Sequence, residues 1–454
     1  MVLNLSQKIL NSAGDNYILF QSLGGKMELD ALEVNKIIEN SVIYDLLSQL
    51  GKRLYFPKGI VFQSAEAKDK AKKYDATIGM ATDGSDPMFL PSIMKHFNDL
   101  KPVEIFSYAP AAGNATLREL WKKEMLKKNP SIEKNKIISH PIVTAGITHG
   151  ISILADMFFD NGDNVILPDM YWENYKFIIE SMREAQIKSF PFFDNENLNI
   201  KALENVIRAS NSKKVSVILN FPNNPTGYSP SLKEIDQIIA MFKKLAEEKY
   251  KILAICDDSY FGLFYEKETF KESIFSKLCD LDENIFAVKL DGATKEELAW
   301  GFRVGFITYG GKGLTEAQYK ALEQKTAGAI RATVSNCCNA SQSLLVKELS
   351  SGEYYNEKNT ALKKMQERYL KVKEVLAKMP ADVPLRVLPF NSGYFMTFET
   401  LGKDSDKLRK HLIDNYSIGT ISIEGKYLRI AFSSVTLEQI PDLYNIVFKA
   451  AKEL

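Results

Sequence analysis

The chain has 454 residues, which is enough for about two or three domains with large buried cores. Hydrophobic residues make up 45% of it and charged residues 25%, a composition that excludes a disordered protein. The formal net charge of +1 provides no overall field that would attract nucleic acid or an anionic membrane. We therefore expect a globular protein that binds neither nucleic acid nor a membrane.

The cysteines and histidines do not form a recognisable metal or disulfide pattern. The four cysteines are irregularly spaced, and the adjacent pair Cys337 and Cys338 cannot form a CxxC motif. The four histidines lack HExxH spacing, so we expect no bound metal. The start MVLNLSQKIL lacks a signal-peptide pattern, and the apolar run ISILADMFF is shorter than the roughly 20 residues of a membrane span. We expect a cytoplasmic protein.

From about residue 140, short apolar runs alternate with longer amphipathic ones. Predicted strands are PIVTAG, NVILPD, KVSVILN, KILAICDD, NIFAVKL and FRVGFITYG, and predicted helices are ITHGISILADMFF, NYKFIIESMREA and SLKEIDQIIAMFKKLAEEK. The third helix opens with a capping box, Ser231 followed by Glu234. Strands that alternate with helices predict a doubly wound α/β fold, whose mainly parallel sheet has helices on both faces.

The two ends of the chain have a different pattern. Residues 1 to about 84 mix short helices with a loop. Beyond about 350, a long charged helix precedes the strand-like pieces LRVLPF, GYFMTFE and YLRIAFS. We predict a large α/β domain over residues 85–350 and a smaller α+β domain built from residues 1–84 and 351–454.

Polar and aromatic side chains follow five consecutive predicted strands. In open α/β sheets, ligands bind beyond the carboxyl ends of the strands, so these residues are predicted to lie at one edge. In chain order they are Ile147 and Thr148 at the start of a helix, Tyr171 and Trp172, Asn224, Asp257 with Tyr260, and Lys295 in a loop. Arg303 follows Lys295 eight residues later. The set combines an anion site, a flat aromatic ring, an amide, a carboxylate, a phenol and a lysine.

This combination suits a flat, phosphorylated heteroaromatic aldehyde. The free N–H groups at Ile147 and Thr148, together with Arg303, are predicted to bind its phosphate. Trp172 is predicted to stack on its ring, with Tyr171 as the alternative. Burying the Asp257 carboxylate without a partner would cost free energy. A protonated ring nitrogen is a cation that can pair with it.

The remaining groups are predicted to act on the ring substituents. Asn224 and Tyr260 are placed to hydrogen-bond the ring oxygen. Lys295 is predicted to form a Schiff base with the aldehyde and to act as nucleophile and then as base, with a pKa lowered by its surroundings. The alternative for Lys295 alone is a solvated surface lysine.

At these residues the chain resembles the pyridoxal 5′-phosphate (PLP) aminotransferases of fold type I, the class I/II group that includes aspartate and aromatic aminotransferases. Six segments carry the resemblance, in collinear order: TIGMA at 77–81, SYAPAAGNATLRELW at 107–121, NNPTG at 223–227, DDSY at 257–260, TK at 294–295 with GFRVG at 301–305, and YLRIAFS at 427–433. It extends over most of the chain from about residue 75. The fold implied is that of a fold type I PLP-transferase.

The resemblance also implies roles for residues outside the predicted sheet edge. Arg429 matches the arginine that binds the substrate α-carboxylate, although a structural ion pair is an alternative for it. Gly79 matches the glycine near that carboxylate. Tyr108 matches the tyrosine that reaches the phosphate of the neighbouring subunit, which implies a homodimer with shared active sites.

Two segments depart from the family pattern. Gly292 stands where the family often has a phosphate-binding serine, so Thr294 is the candidate replacement. The segment IRATVSNCC at 330–338 resembles a stretch whose arginine binds a side-chain carboxylate across the dimer, which maps onto Arg331. Cys337 and Cys338 replace the two prolines there. Arg331 is therefore either a dicarboxylate selector or an interface charge.

The resemblance implies that the chain transfers an amino group between an L-amino acid and a 2-oxo acid through a Lys295 aldimine, in a ping-pong reaction. The donor is aspartate or glutamate if Arg331 selects it, and an aromatic amino acid is open. One alternative is a PLP-dependent β-lyase of the C–S lyase type. Another is a PLP or amino-acid sensor in a transcriptional regulator, which the lack of a helix-turn-helix pattern in residues 1–75 disfavours.

Overall fold

The structure, a computed structural model, describes residues 17–18, 27–56, 59–210 and 212–454. Its centre is a seven-stranded sheet formed by β1 (Ile142–Thr144), β2 (Asn164–Pro168), β3 (Gln186–Phe190), β4 (Lys214–Asn220), β5 (Lys251–Asp257), β6 (Ile285–Gly292) and β7 (Gly305–Gly311). The spatial order is β1-β7-β6-β5-β4-β2-β3. Neighbouring strands run parallel, except that β7 is antiparallel to both β6 and β1.

The central strands are nearly continuous apolar runs because both faces of the sheet are covered. Successive side chains point to opposite faces. In β4, Val217 and Leu219 pack into the hydrophobic cluster on one face, whereas Ile218 packs into the cluster on the other. In β5, Ala254 and Ile255 divide in the same way. The sheet therefore has one hydrophobic core on each of its two faces.

Helices cover both faces. One face packs against Ile200–Ala209, Leu232–Glu247 and Phe275–Leu278, and the other against Ile147–Phe158, Asn174–Lys176, the π-helical turn Phe177–Met182 and Glu316–Thr333. The predicted capping box is confirmed, since the Ser231 hydroxyl accepts the Glu234 N–H and the Glu234 carboxylate accepts the Ser231 N–H. Further helices between residues 85 and 350 are Pro91–His96, Pro102–Phe106, Ala115–Lys128 and Asn339–Leu349.

A second, antiparallel sheet comes from the C-terminal part of the chain. It contains β8 (Arg386–Val387), β9 (Phe395–Glu399), β10 (Ile421–Ile423) and β11 (Tyr427–Ala431) in the order β8-β9-β11-β10. The helices Tyr354–Leu376, Ser405–Tyr416 and Ile440–Lys452 belong to the same part of the chain. Their apolar residues share a hydrophobic cluster with residues from 76 to 93. Early and late parts of the sequence therefore build one core.

The described N-terminal residues form the helices Leu29–Ile38, Val42–Leu46, Gln49–Arg53 and Ile60–Lys70. The third helix contacts the large sheet unit, because Arg53 forms an ion pair with Glu184 at 3.1 Å. The fourth contacts the C-terminal unit, because Glu66 pairs with Arg409 at 2.6 Å. The remaining short strands pair as Tyr17–Ile18 with Met27–Glu28, Tyr74–Asp75 with Ile418–Gly419, Thr82–Asp83 with Asp86–Pro87, and Phe193–Asp194 with Asn197–Leu198.

Three local features differ from the sequence expectation. The edge strand β3 was not predicted, because QIKSF is mostly exposed and lacks an apolar run. Strand β7 is antiparallel rather than parallel. Lys295 lies in the one-turn helix Ala293–Glu296 rather than in a loop. Within the described ranges, no helix combines the length and the apolar character that crossing a bilayer requires.

Gly227 is a position where the two sheet units approach closely. Its φ is +75°, and a Cβ atom there would lie 2.0 Å from the backbone oxygen of Phe395. Gly227→Ala should lower the free energy of unfolding by more than about 3 kcal/mol, because backbone must move in addition to the unfavourable φ. Gly313→Ala is the matched control, since φ is +76° with open space around it. It should cost only about 1 kcal/mol. Urea denaturation midpoints of equal size for the two variants would contradict this account.

Candidate active site

A cavity of about 360 Å³ lies at the carboxyl ends of the central strands. All but two of the residues predicted from the sequence line it. These are Gly79, Ile147, Thr148, Trp172, Asn224, Asp257, Tyr260, Thr294, Lys295, Arg303 and Arg429. Of the two aromatic residues considered for stacking, Trp172 lines the cavity. The volume suits a small ligand.

The antiparallel strand β7 explains why Lys295 and Arg303 meet. Gly292 at the end of β6 pairs with Gly305 at the start of β7. The segment between them therefore leaves and re-enters the sheet at the same edge. If β7 ran parallel to β6, Arg303 would lie at the opposite edge. Lys295 and Arg303, which are eight residues apart, therefore line the same cavity.

Lys295 follows β6 directly. Its Nζ lies 4.6 Å from the centroid of the Tyr260 ring. Burial, opposed by the charge of Asp257 and reinforced by that of Arg303, lowers the pKa of Lys295 to about 8. An amine with this pKa is partly unprotonated near neutral pH, so it can act as a nucleophile and as a base.

Asp257 ends β5 and is only 2% exposed. The Tyr175 hydroxyl donates a hydrogen bond to its Oδ2. Its Oδ1 accepts the Ser259 hydroxyl at 2.5 Å and the Ser259 N–H at 3.0 Å. Its backbone oxygen accepts the Asn220 amide at 3.0 Å. The donors are all neutral, so the carboxylate is held in place while its charge remains available to a cation.

Three partners of Asp257 were not predicted from the sequence, namely Tyr175, Ser259 and Asn220. Asn220 is the last residue of β4 and is paired with Asp257 in the sheet, so the rule of strand ends could have identified it. Tyr175 stands three residues after Trp172, and its ring packs edge-on against that indole at a centroid distance of 5.5 Å. Only the fold brings the Tyr175 hydroxyl within hydrogen-bonding distance of the Asp257 carboxylate.

A candidate anion site lies at the start of the helix Ile147–Phe158. The helix begins at Gly146 without a side-chain cap, so its first N–H groups lack that partner. A Cβ on Gly146 would lie 2.3 Å from Arg303 Nη2, so the guanidinium packs directly against this backbone. Arg303 pairs with no carboxylate among the residues that the structure describes. Its Nη1 donates to Trp300 O at 3.3 Å. The site fits a phosphate.

Arg429 lies on β11 and reaches the cavity from the C-terminal sheet. Its Nη1 donates to Asn224 Oδ1 at 3.0 Å and its Nη2 to Thr77 O at 2.7 Å, while the guanidinium lies 4.3 Å from the Phe395 ring centroid. Burial lowers its pKa to about 10. The buried Nε has no hydrogen-bond partner among the residues that the structure describes. No carboxylate of the described chain pairs with Arg429, which disfavours the structural ion pair.

The space around residue 292 accommodates glycine but no larger residue. Its φ is 175°, which any residue can adopt, but a Cβ there would lie 2.7 Å from Val304 O and 3.0 Å from the Gly305 Cα. A serine at this position would require the backbone to shift. Thr294 is buried and lines the cavity, and its role as the replacement stays a prediction.

Tyr108 and Arg331 lie outside the cavity. Tyr108 is 90% exposed. Arg331 is exposed and its Nη1 donates to Ser335 Oγ at 2.7 Å. Their predicted roles require a second copy of the chain. Exposed apolar side chains precede Tyr108 in the sequence, namely Phe89, Met94, Phe97, Val103, Ile105 and Phe106.

Residues 77–447 match the family described as aminotransferase class I and II. The chain belongs to this family. Its members use PLP, and the donor set in the cavity fits that cofactor: an uncapped helix start with Arg303, an indole ring, a buried carboxylate and an amine. The described residues contain no cluster of histidine, cysteine or acidic side chains suited to a metal ion.

Relatives and solved structures agree with the family. A probable aspartate aminotransferase of Methanocaldococcus jannaschii is 28% identical over 44% of this chain and 48% of that protein. A probable aspartate/prephenate aminotransferase of Aquifex aeolicus is 24% identical over 76% and 84%. The crystal structure of an aminotransferase from Anaerococcus prevotii has a TM-score of 0.78 and 25% identity, over 89% of this chain and 98% of that one. The chain spans about half the length of several of the relatives it matches.

The pKa of Lys295 can be measured without the cofactor. We expect acetylation of Lys295 in the cofactor-free protein to reach half its maximal rate near pH 8, because only the unprotonated amine reacts. Asp257→Asn should move this midpoint to lower pH, since it removes a charge that favours the ammonium form. Arg303→Gln should move it to higher pH. Peptide mass spectrometry gives the rate, and a midpoint at the ordinary lysine value near 10.4 would contradict the assignment.

Proposed function

We propose that this protein transfers amino groups between an L-amino acid and a 2-oxo acid with PLP as its cofactor. The observation that carries the proposal is the pair formed by Lys295, whose pKa burial lowers to about 8, and the buried Asp257 carboxylate. Two arginines, Arg303 and Arg429, line the same cavity, and neither pairs with a carboxylate of the described residues. A cavity with two free cations and one fixed carboxylate suits a ligand with two anionic ends and one cationic centre.

We assign the cofactor contacts as follows. The helix start at Ile147 and Thr148 and the Arg303 guanidinium hold the phosphate, and Thr294 adds a hydroxyl. Trp172 covers one face of the ring. When bound, PLP supplies an electrophilic carbonyl and a ring that takes up electrons.

Asp257 accepts a hydrogen bond from the protonated ring nitrogen and so keeps that proton in place. Tyr175 and Ser259 hold the carboxylate in position for this contact. Asn224 and Tyr260 donate hydrogen bonds to the ring oxygen. Asp257, Ser259, Tyr260 and Asn224 lie on a strand end or on the turn that follows it, and Tyr175 lies in the short helix Asn174–Lys176, so little ordering is needed when the cofactor binds.

The chain binds the substrate and moves its proton. Arg429 binds the α-carboxylate, which gives its unpartnered Nε an acceptor. Gly79 lies in the cavity where a side chain would crowd Tyr260, since a Cβ there would be 3.1 Å from the phenol oxygen. Lys295 would remove the proton from the substrate α-carbon and carry it to the carbon of the PLP aldehyde group. The lowered pKa makes the amine available for this task near neutral pH.

The substrate is proposed to be aspartate or glutamate, or an aromatic amino acid. Relatives named aspartate or aspartate/prephenate aminotransferase favour the first group. Arg331 of a second copy would supply the side-chain partner. The aromatic and aliphatic residues Ile60, Ile78, Trp300 and Phe395 in the cavity wall favour the second group.

We further propose a cytoplasmic homodimer with shared active sites. The exposed Tyr108 and the apolar side chains near it in sequence support a subunit interface, because a monomer rarely exposes so many large apolar groups together. We propose the domain division at residues 84/85 and 350/351. Separate hydrophobic clusters in the large sheet and in the C-terminal sheet support this division.

The amino-transfer function is tested with PLP-loaded protein and 2-oxoglutarate as acceptor. Aspartate, tyrosine or phenylalanine should yield its oxo acid, and glutamate should yield 2-oxoglutarate when oxaloacetate replaces 2-oxoglutarate as acceptor. The visible absorption of bound PLP should change when the donor is added without acceptor. Lys295→Ala should lower kcat by at least about 10⁴-fold, because it removes the proton carrier. Lys320→Ala, which replaces an exposed lysine, should leave kcat unchanged. Release of pyruvate and ammonia without an acceptor would instead identify a β-lyase.

Shared sites are tested with mixed dimers. Lys295→Ala and Tyr108→Ala homodimers should each be impaired. In a heterodimer of the two, one site receives both substitutions and the other receives neither. Random mixing should therefore restore about one quarter of wild-type activity, because half the dimers are mixed and each has one intact site. Activity of the mixture equal to the mean of the two homodimers would show that Tyr108 does not act across an interface.

A further inference from the structure

A second cavity, of about 370 Å³, lies on the other side of Lys295. It is as large as the first and is formed by the loop at residues 261–264, the end of the helix Ala115–Lys128 and the first half of the helix Tyr354–Leu376. Among the described residues, Lys295 alone lines both cavities. No step assigned above uses the second cavity. Ligand sites commonly form where separate structural units meet, as here.

The walls of the second cavity are apolar and aromatic. Aliphatic side chains come from Leu90, Leu263, Leu298, Leu362 and Met365, and rings come from Phe261, Phe264, Tyr354, Tyr355 and Tyr394. Such walls bind a flat apolar group by burying its surface and by ring packing. A small inorganic ion would leave these rings without a partner.

Two of the lysines that line the second cavity are compensated. Lys358 Nζ lies 2.9 Å from a carboxylate oxygen of Glu296 and 2.9 Å from one of Glu297. Lys128 Nζ lies 2.5 Å from the same Glu296 oxygen. These ion pairs neutralise two cations with two carboxylates. They also attach the residues directly after Lys295 to two helices.

Apart from Lys295 itself, two further lysines line this cavity and are not neutralised in this way, namely Lys127 and Lys271. Lys127 lies over the Tyr355 ring, with its Nζ 3.7 Å from the centroid, rather than against a carboxylate. The nearest carboxylate on that side, Glu124, accepts the Tyr355 hydroxyl at 2.6 Å. Lys271 is exposed and forms no hydrogen bond or ion pair with the residues that the structure describes. The cavity mouth therefore has a net positive charge, which favours an anion and disfavours an amine.

The wall between the two cavities is aromatic. Tyr394, which lines the second cavity, packs edge-on against Tyr260, which lines the first, at a centroid distance of 5.5 Å. The Tyr260 ring lies beneath Lys295 Nζ. The Tyr394 hydroxyl is buried and has no hydrogen-bond partner in the described part of the chain. A molecule in the second cavity would thus touch the groups that hold Lys295.

We propose that the second cavity is a binding site for a small aromatic monocarboxylate, separate from the substrate site. The ring lies among Phe261, Phe264 and Tyr355. The carboxylate faces Lys127 and Lys271 at the mouth. Because the ligand contacts the wall that holds Lys295, its binding changes the environment of the active-site amine. The site is independent of which amino acid is the substrate.

The test is calorimetric titration of PLP-loaded protein with 3-phenylpropionate, which has the ring and the carboxylate but no amino group to transfer. Arg429→Leu removes the carboxylate partner in the first cavity, so binding that remains in this variant reports the second. We expect this binding to be lost when Ala361→Trp is added, because Ala361 lines the second cavity and the indole fills it. Lys363→Trp, an exposed position on the same helix, is the matched control and should bind as before.

A second pair of variants tests the charge without filling the cavity. In the Arg429→Leu protein, Lys271→Gln should weaken 3-phenylpropionate binding roughly two- to fivefold, as expected for one partly exposed ion pair. Lys267→Gln, an exposed lysine outside the cavity, should leave the affinity unchanged. 2-Phenylethylamine should not bind. The proposal is overturned if the Arg429→Leu protein binds no 3-phenylpropionate, or if neither Ala361→Trp nor Lys271→Gln changes its affinity.

Discussion

Burial of charge at the edge of the large sheet is the constraint on which the active site depends. The Asp257 carboxylate is removed from water and held by the neutral donors of Tyr175 and Ser259. Such a group is stable only when a cation is near. The same loss of water lowers the pKa of Lys295, so the nearest amine is partly discharged. The low-dielectric cavity therefore contains a carboxylate that needs a cationic ligand. It also contains an amine that can react with that ligand.

The direction of the strands brings the remaining charges to this cavity. Parallel strands β4, β5 and β6 end together, which assembles Asn220, Asp257 and the Lys295 turn. The antiparallel strand β7 returns the chain to the same edge and adds Arg303. Arg429 comes from β11 in the other sheet. The two sheets thus supply one arginine each, and a ligand with an anion at each end would join them.

Close backbone approaches fix these positions. Gly146 leaves room for the Arg303 guanidinium, Gly292 leaves room for the backbone at Val304, and Gly227 leaves room for the backbone of Phe395. The three contacts join a helix start to the arginine, β6 to the segment before β7, and one sheet unit to the other. A larger residue at any of these positions would displace a group that lines or supports the cavity. The absence of a serine at position 292 follows from the same packing.

The sequence by itself determined the strands of the large sheet and most of the residues that line the cavity. It could do so because buried parallel strands are continuous apolar runs whose carboxyl ends must converge. Tertiary structure decided the antiparallel direction of β7, the edge strand β3 and the contact of Tyr175 with Asp257. None of these follows from local pattern, because each depends on which segments become neighbours after folding. Tyr108 and Arg331 remain predictions for a related reason, since their proposed partners belong to a second copy of the chain.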